Sequence, residues 1–244
     1  MIYDFWKNYE NILFFEQANI LDCRLDNIII KLSTFFQRVI IKPIEKENIS
    51  FFIAGSCLKS DTFNDLDIFF NNKEDLNLID NSLNKDFFEY SNNSKTYKYK
   101  NELYQLVFRE KYNNCTLKEL INGFDFASTK LGFKCNYNTK LRTLQVEELD
   151  LREEFIMYIN TKYNPLLQMS INPMVSLQRA LLFTKRGDDV PFETFLNIID
   201  KVTDMKLNGD FTEENFLKNL KGNPNKLQNI KEAIQDFVNE ENNK

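Results

Sequence analysis

The chain has 244 residues, 31 Lys/Arg against 36 Asp/Glu for a net charge of −5, and is 43% apolar with 23 Phe and 10 Tyr. That is material for one large domain or a core with an appendage, and six Gly and five Pro leave no room for a flexible linker. There is no histidine, which excludes Ser-His-Asp and Cys-His catalysis, the usual zinc hydrolase sites and imidazole acid–base work.

No window reaches the ~18 uncharged apolar residues of a membrane span. The start, Met1-Ile2-Tyr3-Asp4-Phe5-Trp6-Lys7, lacks a signal-peptide profile. A soluble, cytoplasmic protein that does not engage membranes is expected. Cys23, Cys57, Cys115 and Cys135 form no Cys-x-x-Cys pair, so reduced thiols are expected rather than a zinc site or disulfide scaffold. The net charge argues against general nucleic-acid coating, yet residues 95–146 carry ten Lys/Arg against four acids. Such a basic middle could attract a triphosphate or an RNA acceptor; an ordinary Lys-rich surface is the alternative.

Taken in order, residues 3–18 predict a short helix. Leu25, Ile28, Ile29, Leu32, Phe35, Phe36 and Val39 recur at helical spacing over Leu21–Val39, with Asp22 as a cap near the start and Pro43 at or beyond the end. An apolar run, Phe51-Phe52-Ile53-Ala54, stops at Gly55-Ser56. Eight residues later comes Asp65-Leu66-Asp67-Ile68-Phe69-Phe70. A helix is predicted over 74–84, then short strands at Phe87–Tyr90, Lys95–Lys100 and Leu103–Arg109. Thr116 caps a helix from Leu117 to Asn122 that ends at Gly123. Phe124-Asp125-Phe126 reads as strand-like. Helices are predicted over Val146–Asn160, from Pro173 to about Gly187, over Phe192–Val202 with Pro191 at the first position, and near 211–220 and 226–240.

Side chains alternate across a strand, so Asp65 and Asp67 leave the same face, within reach of one hard cation. Mg²⁺ usually takes one or two carboxylates from protein and fills its shell with water and substrate phosphates. Gly55 permits close backbone approach, and the Ser56 hydroxyl with nearby N–H groups could hold phosphate oxygens. Asp125 lies between aromatic residues, where an unpaired carboxylate is costly; a cation would resolve that cost, and a capping or salt-bridging aspartate is the alternative.

An apolar strand, Gly-Ser, a short loop and Asp-Leu-Asp-Ile on the next strand together resemble the signature of the DNA polymerase beta-like nucleotidyltransferase superfamily. The later series, Gln105-Leu106-Val107, Phe124-Asp125-Phe126 and the run from Pro173 through Arg179 to Arg186-Gly187, looks like phage and large-DNA-virus nucleotidyltransferase-like proteins. Leu182-Phe183 stands where a Lys-Tyr pair is often found. The resemblance covers roughly residues 25–190.

It implies an α/β (α+β) fold: a nucleotidyltransferase core with a mixed sheet flanked by helices over residues 1–145, then a helical C-terminal region over 146–244. It also implies Mg²⁺- or Mn²⁺-dependent transfer of a nucleoside monophosphate from a nucleoside triphosphate to a hydroxyl of RNA, protein or a small molecule. Asp65, Asp67 and Asp125 would be metal ligands and catalytic acids. Gly55 and Ser56 would hold the β- and γ-phosphates, and Arg179, Lys185 and Arg186 would reach the triphosphate tail. Surface charge at a helix end is the alternative for those three cations. A silent binding or antitoxin-like module is the alternative for the whole protein.

Overall fold

The computed structural model describes Tyr9, Phe15–Lys59, Phe63, Asp65–Ser91, residues 94–170 and residues 172–209. The helices predicted near 211–220 and 226–240, and most of the one predicted over 3–18, lie outside these residues. The described chain is a mixed α+β structure that divides into two compact units. The first runs to Phe124 and resumes over Ser128–Ile159; the second comprises Asp125–Ala127 and the chain from Asn160.

The first unit is built on a seven-stranded mixed sheet of order β3-β4-β5-β2-β1-β6-β7. Its strands are β1 (Asn48–Ala54), β2 (Asp65–Phe70), β3 (Phe88–Ser91), β4 (Lys95–Tyr99), β5 (Glu102–Phe108), β6 (Leu131–Asn138) and β7 (Thr143–Leu151). Only the β2–β5 pairing is parallel; the other adjacent pairs are antiparallel. Helix α1 (Phe15–Val39) covers one face. Its Leu25, Ile28, Leu32, Phe35, Phe36 and Val39 are buried almost completely, each contributing about 1.5–3 kcal/mol of apolar transfer. Phe35 stacks on Tyr104 of β5 with ring centroids 4.0 Å apart, and Phe36 packs against Phe51 of β1 and Tyr137 of β6. Asp22 lies inside α1 and is buried, not at a cap, because the helix starts six residues or more upstream of it.

Helix α2 (Lys73–Ser82) begins at Asn72, whose side chain accepts from the Glu74 N–H at 2.8 Å. Helix α3 (Leu117–Asn122) opens with a full capping box. The Thr116 hydroxyl accepts from the Glu119 N–H, and the Glu119 carboxylate accepts from the Thr116 N–H. Leu117, Leu120 and Ile121 of α3 seal part of the second sheet face against Phe52, Ala54, Phe69 and Val107.

Two expectations change here. The helix predicted over Val146–Asn160 is strand β7 through Leu151 and then helix α4 (Glu153–Thr161). β7 pairs with β6 along its whole length, so backbone pairing overrides the helical reading. Phe124-Asp125-Phe126 is not a strand; Phe126 alone forms a bridge, to Leu166.

The second unit holds α5 (Pro173–Lys185), capped by Asn172, and α6 (Phe192–Leu207). Phe126, Ala180, Phe183 and Ile198 form its core with Leu166, Leu177 and Phe195 against them. Phe126 and Phe183 meet edge to face at 4.9 Å. No described helix is long and apolar enough to cross a membrane.

Candidate functional site

β1 ends at Ala54, and the chain turns at Gly55, with φ 95° and ψ −144°. This backbone region is essentially closed to residues with a Cβ. The turn then winds into a single 3-10 turn, Ser56–Leu58, closed by the Lys59 N–H donating to the Ser56 carbonyl at 3.1 Å. It is pinned from α1, where Arg24 Nη1 donates to the Leu58 carbonyl at 3.2 Å. Lys59 Nζ lies 5.1 Å from the centre of the Tyr158 ring of α4.

β2 runs antiparallel beside β1, bringing the acid pair next to this turn. Leu66 and Ile68 are wholly buried beneath, Asp65 is exposed and Asp67 half-buried. The two carboxylates therefore share one face of the strand. The turn packs against β2, and Cys57 lies at its middle. Its thiol is pushed well above the ordinary range first by burial and then by the negative charges of Asp67 and Asp65.

A second close approach holds the turn from the other side. Gly132 of β6 lies opposite Ala54. A Cβ there would come within 2.9 Å of Ala54 Cβ and 3.0 Å of the Ile53 carbonyl oxygen, so glycine lets β6 pack tightly where β1 delivers Gly55.

The strand on the open side of the acids is β5. Asp65 lies abreast of Leu103 and Asp67 abreast of Gln105, while Thr96 of β4 lies on the far side of Gln105. The row across three strands is Asp67, Gln105, Thr96. The Gln105 amide donates to Asp65 Oδ2 at 3.5 Å and accepts from Ser94 Oγ at 3.2 Å. Sequence reasoning gave Gln105 no role; only the register reveals its neighbours.

Asp125 belongs to the second unit. Its carboxylate is buried and accepts a hydrogen bond from Arg179 of α5, and its carbonyl oxygen accepts from the N–H groups of Leu167 and Gln168. A guanidinium therefore lies against this carboxylate, the arrangement the salt-bridging alternative expects. Arg179 is correspondingly committed to Asp125. Lys185 closes α5, and Arg186 is the residue after it; both are exposed. Among the described residues no group of three or more Cys, Asp or Glu is arranged to hold a metal ion.

The basic middle is largely spent on internal partners. Lys95 pairs with Asp80, Lys98 with Glu89, Lys134 with Glu147 and Lys140 with Glu47. Lys130 is buried and donates to the last carbonyls of α3, those of Ile121 and Asn122. Lys100 and Lys111 lie over the rings of Tyr99 and Tyr112. The four ion pairs offset part of the positive charge of this stretch, while contacts to rings and carbonyls leave their lysines charged.

Asp65 and Asp67 nonetheless fit a divalent cation that shares its shell with a substrate. Two carboxylates on one face suit Mg²⁺ when phosphates and water complete the octahedron; a closed site made of protein ligands alone would need more. Gly55 and Ser56 lie on the turn beside them, where backbone N–H groups could meet an anion.

No protein-family model matches the chain, and no curated protein matches it. One solved structure, described as "Structure of tRNA-processing enzyme complex 3", matches at 12% identity with a TM-score of 0.44, over 78% of this chain and 53% of that one. The chain spans about half the length of that protein, and a likeness at this level carries no argument about fold or activity.

Proposed function

We propose that the protein is a metal-dependent nucleotidyltransferase. It would transfer a nucleoside monophosphate from a nucleoside triphosphate to an acceptor hydroxyl on RNA, protein or a small molecule. The observation that carries this reading is the placement of Asp65 and Asp67 on one face of β2, beside the glycine-headed turn at Gly55–Leu58.

In this reading Asp65 and Asp67 hold Mg²⁺ or Mn²⁺, and the turn at Gly55 and Ser56 receives the phosphates. The cation supplies charge neutralisation on the triphosphate and acidifies the acceptor hydroxyl. The chain's own contribution is geometric. β1 and β2 fix the turn and the acids side by side, and the buried Leu66 and Ile68 lock the strand so that both carboxylates face outward. Asp125, Arg179, Lys185 and Arg186 receive no part in it: the first two are paired with each other.

A second reading, a silent fold that binds without catalysis, is favoured by one feature: the residue abreast of Asp67 on β5 is a neutral amide, Gln105. One experiment separates the two. Labelled nucleotide from each of the four triphosphates is followed onto bulk RNA, cellular protein and the chain itself, in Mg²⁺ and in Mn²⁺. Transfer by the wild type that falls by orders of magnitude in Asp67→Asn supports the enzyme. No labelling by the wild type, or equal labelling by Asp67→Asn, supports the silent module.

A further inference from the structure

The neutral row beside the acid pair is ordered at both ends. A carboxylate is acceptor-only when ionised, so the end of the Gln105 side chain that faces Asp65 must be its NH₂ group. Ser94 anchors the far end of the same amide, its hydroxyl donating to Gln105 Oε1 at 3.2 Å. Ser94 in turn lies 3.4 Å from the hydroxyl of Thr96, a residue with no exposed surface. Turning the amide over would set a carbonyl oxygen against the Asp65 carboxylate and lose that contact, whereas the Ser94 hydroxyl could accept from the NH₂ group instead.

The contact to Asp65 Oδ2 is long, at 3.5 Å, and Asp65 is exposed. Without a partner, an exposed aspartate at the first position of a strand samples several rotamers. A donor on one carboxylate oxygen restricts that sampling and leaves Oδ1 as the oxygen available to a ligand. Carboxylates that bind cations are commonly held in this way by an outer hydrogen bond, whose removal costs ~10–100-fold in affinity.

We propose that Gln105 is a positioning residue for cation binding at Asp65 and Asp67, with Ser94 anchoring the far end of its amide. This rests on the reading of the acid pair as a divalent-cation site. Gln105 contributes no ligand atom: its NH₂ group aligns Asp65.

The test is Mn²⁺ binding by the full chain, followed through the electron paramagnetic resonance signal of free Mn²⁺, with thermal unfolding in the absence of metal as the control for folding. Gln105→Met keeps the length of the side chain and removes the donor; it should weaken Mn²⁺ about tenfold while the unfolding midpoint stays put. Ser94→Ala removes only the anchoring hydroxyl and should weaken Mn²⁺ about threefold. Asp65→Asn and Asp67→Asn should abolish binding. If Gln105→Met and Ser94→Ala bind Mn²⁺ as the wild type does while Asp65→Asn has lost it, the role of Gln105 is overturned and the cation site stands. If both Asp→Asn variants bind as the wild type does, or the wild type holds no Mn²⁺, the cation site is overturned and Gln105 with it. Should Gln105→Met fail to fold, Ser94→Ala decides.

Discussion

Arg179 and Asp125, 54 residues apart, meet as an ion pair in which the guanidinium donates to a carboxylate that is almost wholly buried. Removing one partner of such a pair leaves the other charge stranded, which costs more than the pair itself contributes. Arg179→Met should therefore lower stability by about 1–3 kcal/mol, reduced by the half-exposure of the arginine. Adding Asp125→Asn should recover most of that loss, because an amide needs no counter-charge. Urea denaturation of the two single variants and the double checks this. A silent Arg179→Met would mean that Asp125 is satisfied by other groups.

Asp80 on α2 gathers Lys85, Lys95 and the Tyr97 hydroxyl around one buried carboxylate. Burial pushes this carboxyl up, but the hydrogen bonds from Lys95, Tyr97 and Lys85 outweigh it, and the net shift is downward. A carboxylate depressed in the folded state contributes stability above its unfolded value, near ~3.9, and loses it as pH falls through the folded value. Asp80→Asn should cost about 1–3 kcal/mol at pH 7, and its gap from the wild type should shrink as the pH drops below about 4. Urea midpoints at pH 7, 4 and 3 test the sign; a constant gap would show that the charge of Asp80 is not what matters.

The thiols differ in reach. Cys23 is exposed, Cys115 partly so, and Cys57 and Cys135 are buried. Burial, and then the nearby acids Asp67 and Asp65 for Cys57 and Glu147 for Cys135, pushes both buried thiols up. The thiolate is the reactive form. At pH 8 Ellman's reagent should modify Cys23 quickly, Cys115 slowly and the other two only after denaturation. Mg²⁺ should not release Cys57, since its burial remains. Rapid labelling of Cys57, located by mass spectrometry, would contradict the packing of the turn beside β2.

Two glycines should resist alanine for different reasons. At Gly55 a Cβ meets nothing within 4 Å, so the loss in Gly55→Ala is backbone strain alone, about 1–3 kcal/mol. At Gly132 the loss is steric, against Ala54, Ile53 and Ile121, again about 1–3 kcal/mol. Shrinking the nearest neighbour with Ala54→Gly should recover part of the Gly132→Ala loss and none of the Gly55→Ala loss. Equal recovery in both would refute the distinction.

What the sequence revealed was whatever is encoded locally. The Thr116 cap, the α1 stripe and the strand runs on either side of Gly55 are patterns within a few residues, and they match the observed elements. The β6–β7 hairpin carries a legible signal in the alternation of Leu131, Phe133, Cys135 and Tyr137, all buried, whereas in β7 the alternation of Leu144 and Val146 shifts by one residue at the bulge before Leu149 and Leu151, so no single period marks the strand. Asp125–Arg179 and Lys140–Glu47 were illegible because their partners are 54 and 93 residues apart. Gln105 belongs to the series that carries the resemblance, but its neighbours depend on the parallel register of β2 with β5, and no local pattern encodes that register.

The position of β1 has a consequence during synthesis. In the finished sheet it lies between β2 and β6, and β2 follows it within a dozen residues, whereas Ala54 finds Gly132 only some eighty residues later. A ribosome adding ~5–20 residues per second would leave that second edge open for roughly 4–16 s. The waiting edge is Ile49-Ser50-Phe51-Phe52-Ile53-Ala54, uncharged and free of proline, the kind of segment that templates strand addition between nascent chains. Fragments ending before Asn138 should therefore collect in inclusion bodies even when they contain both acids and the turn, and the soluble yield of the full chain should rise when translation between β2 and β6 is faster.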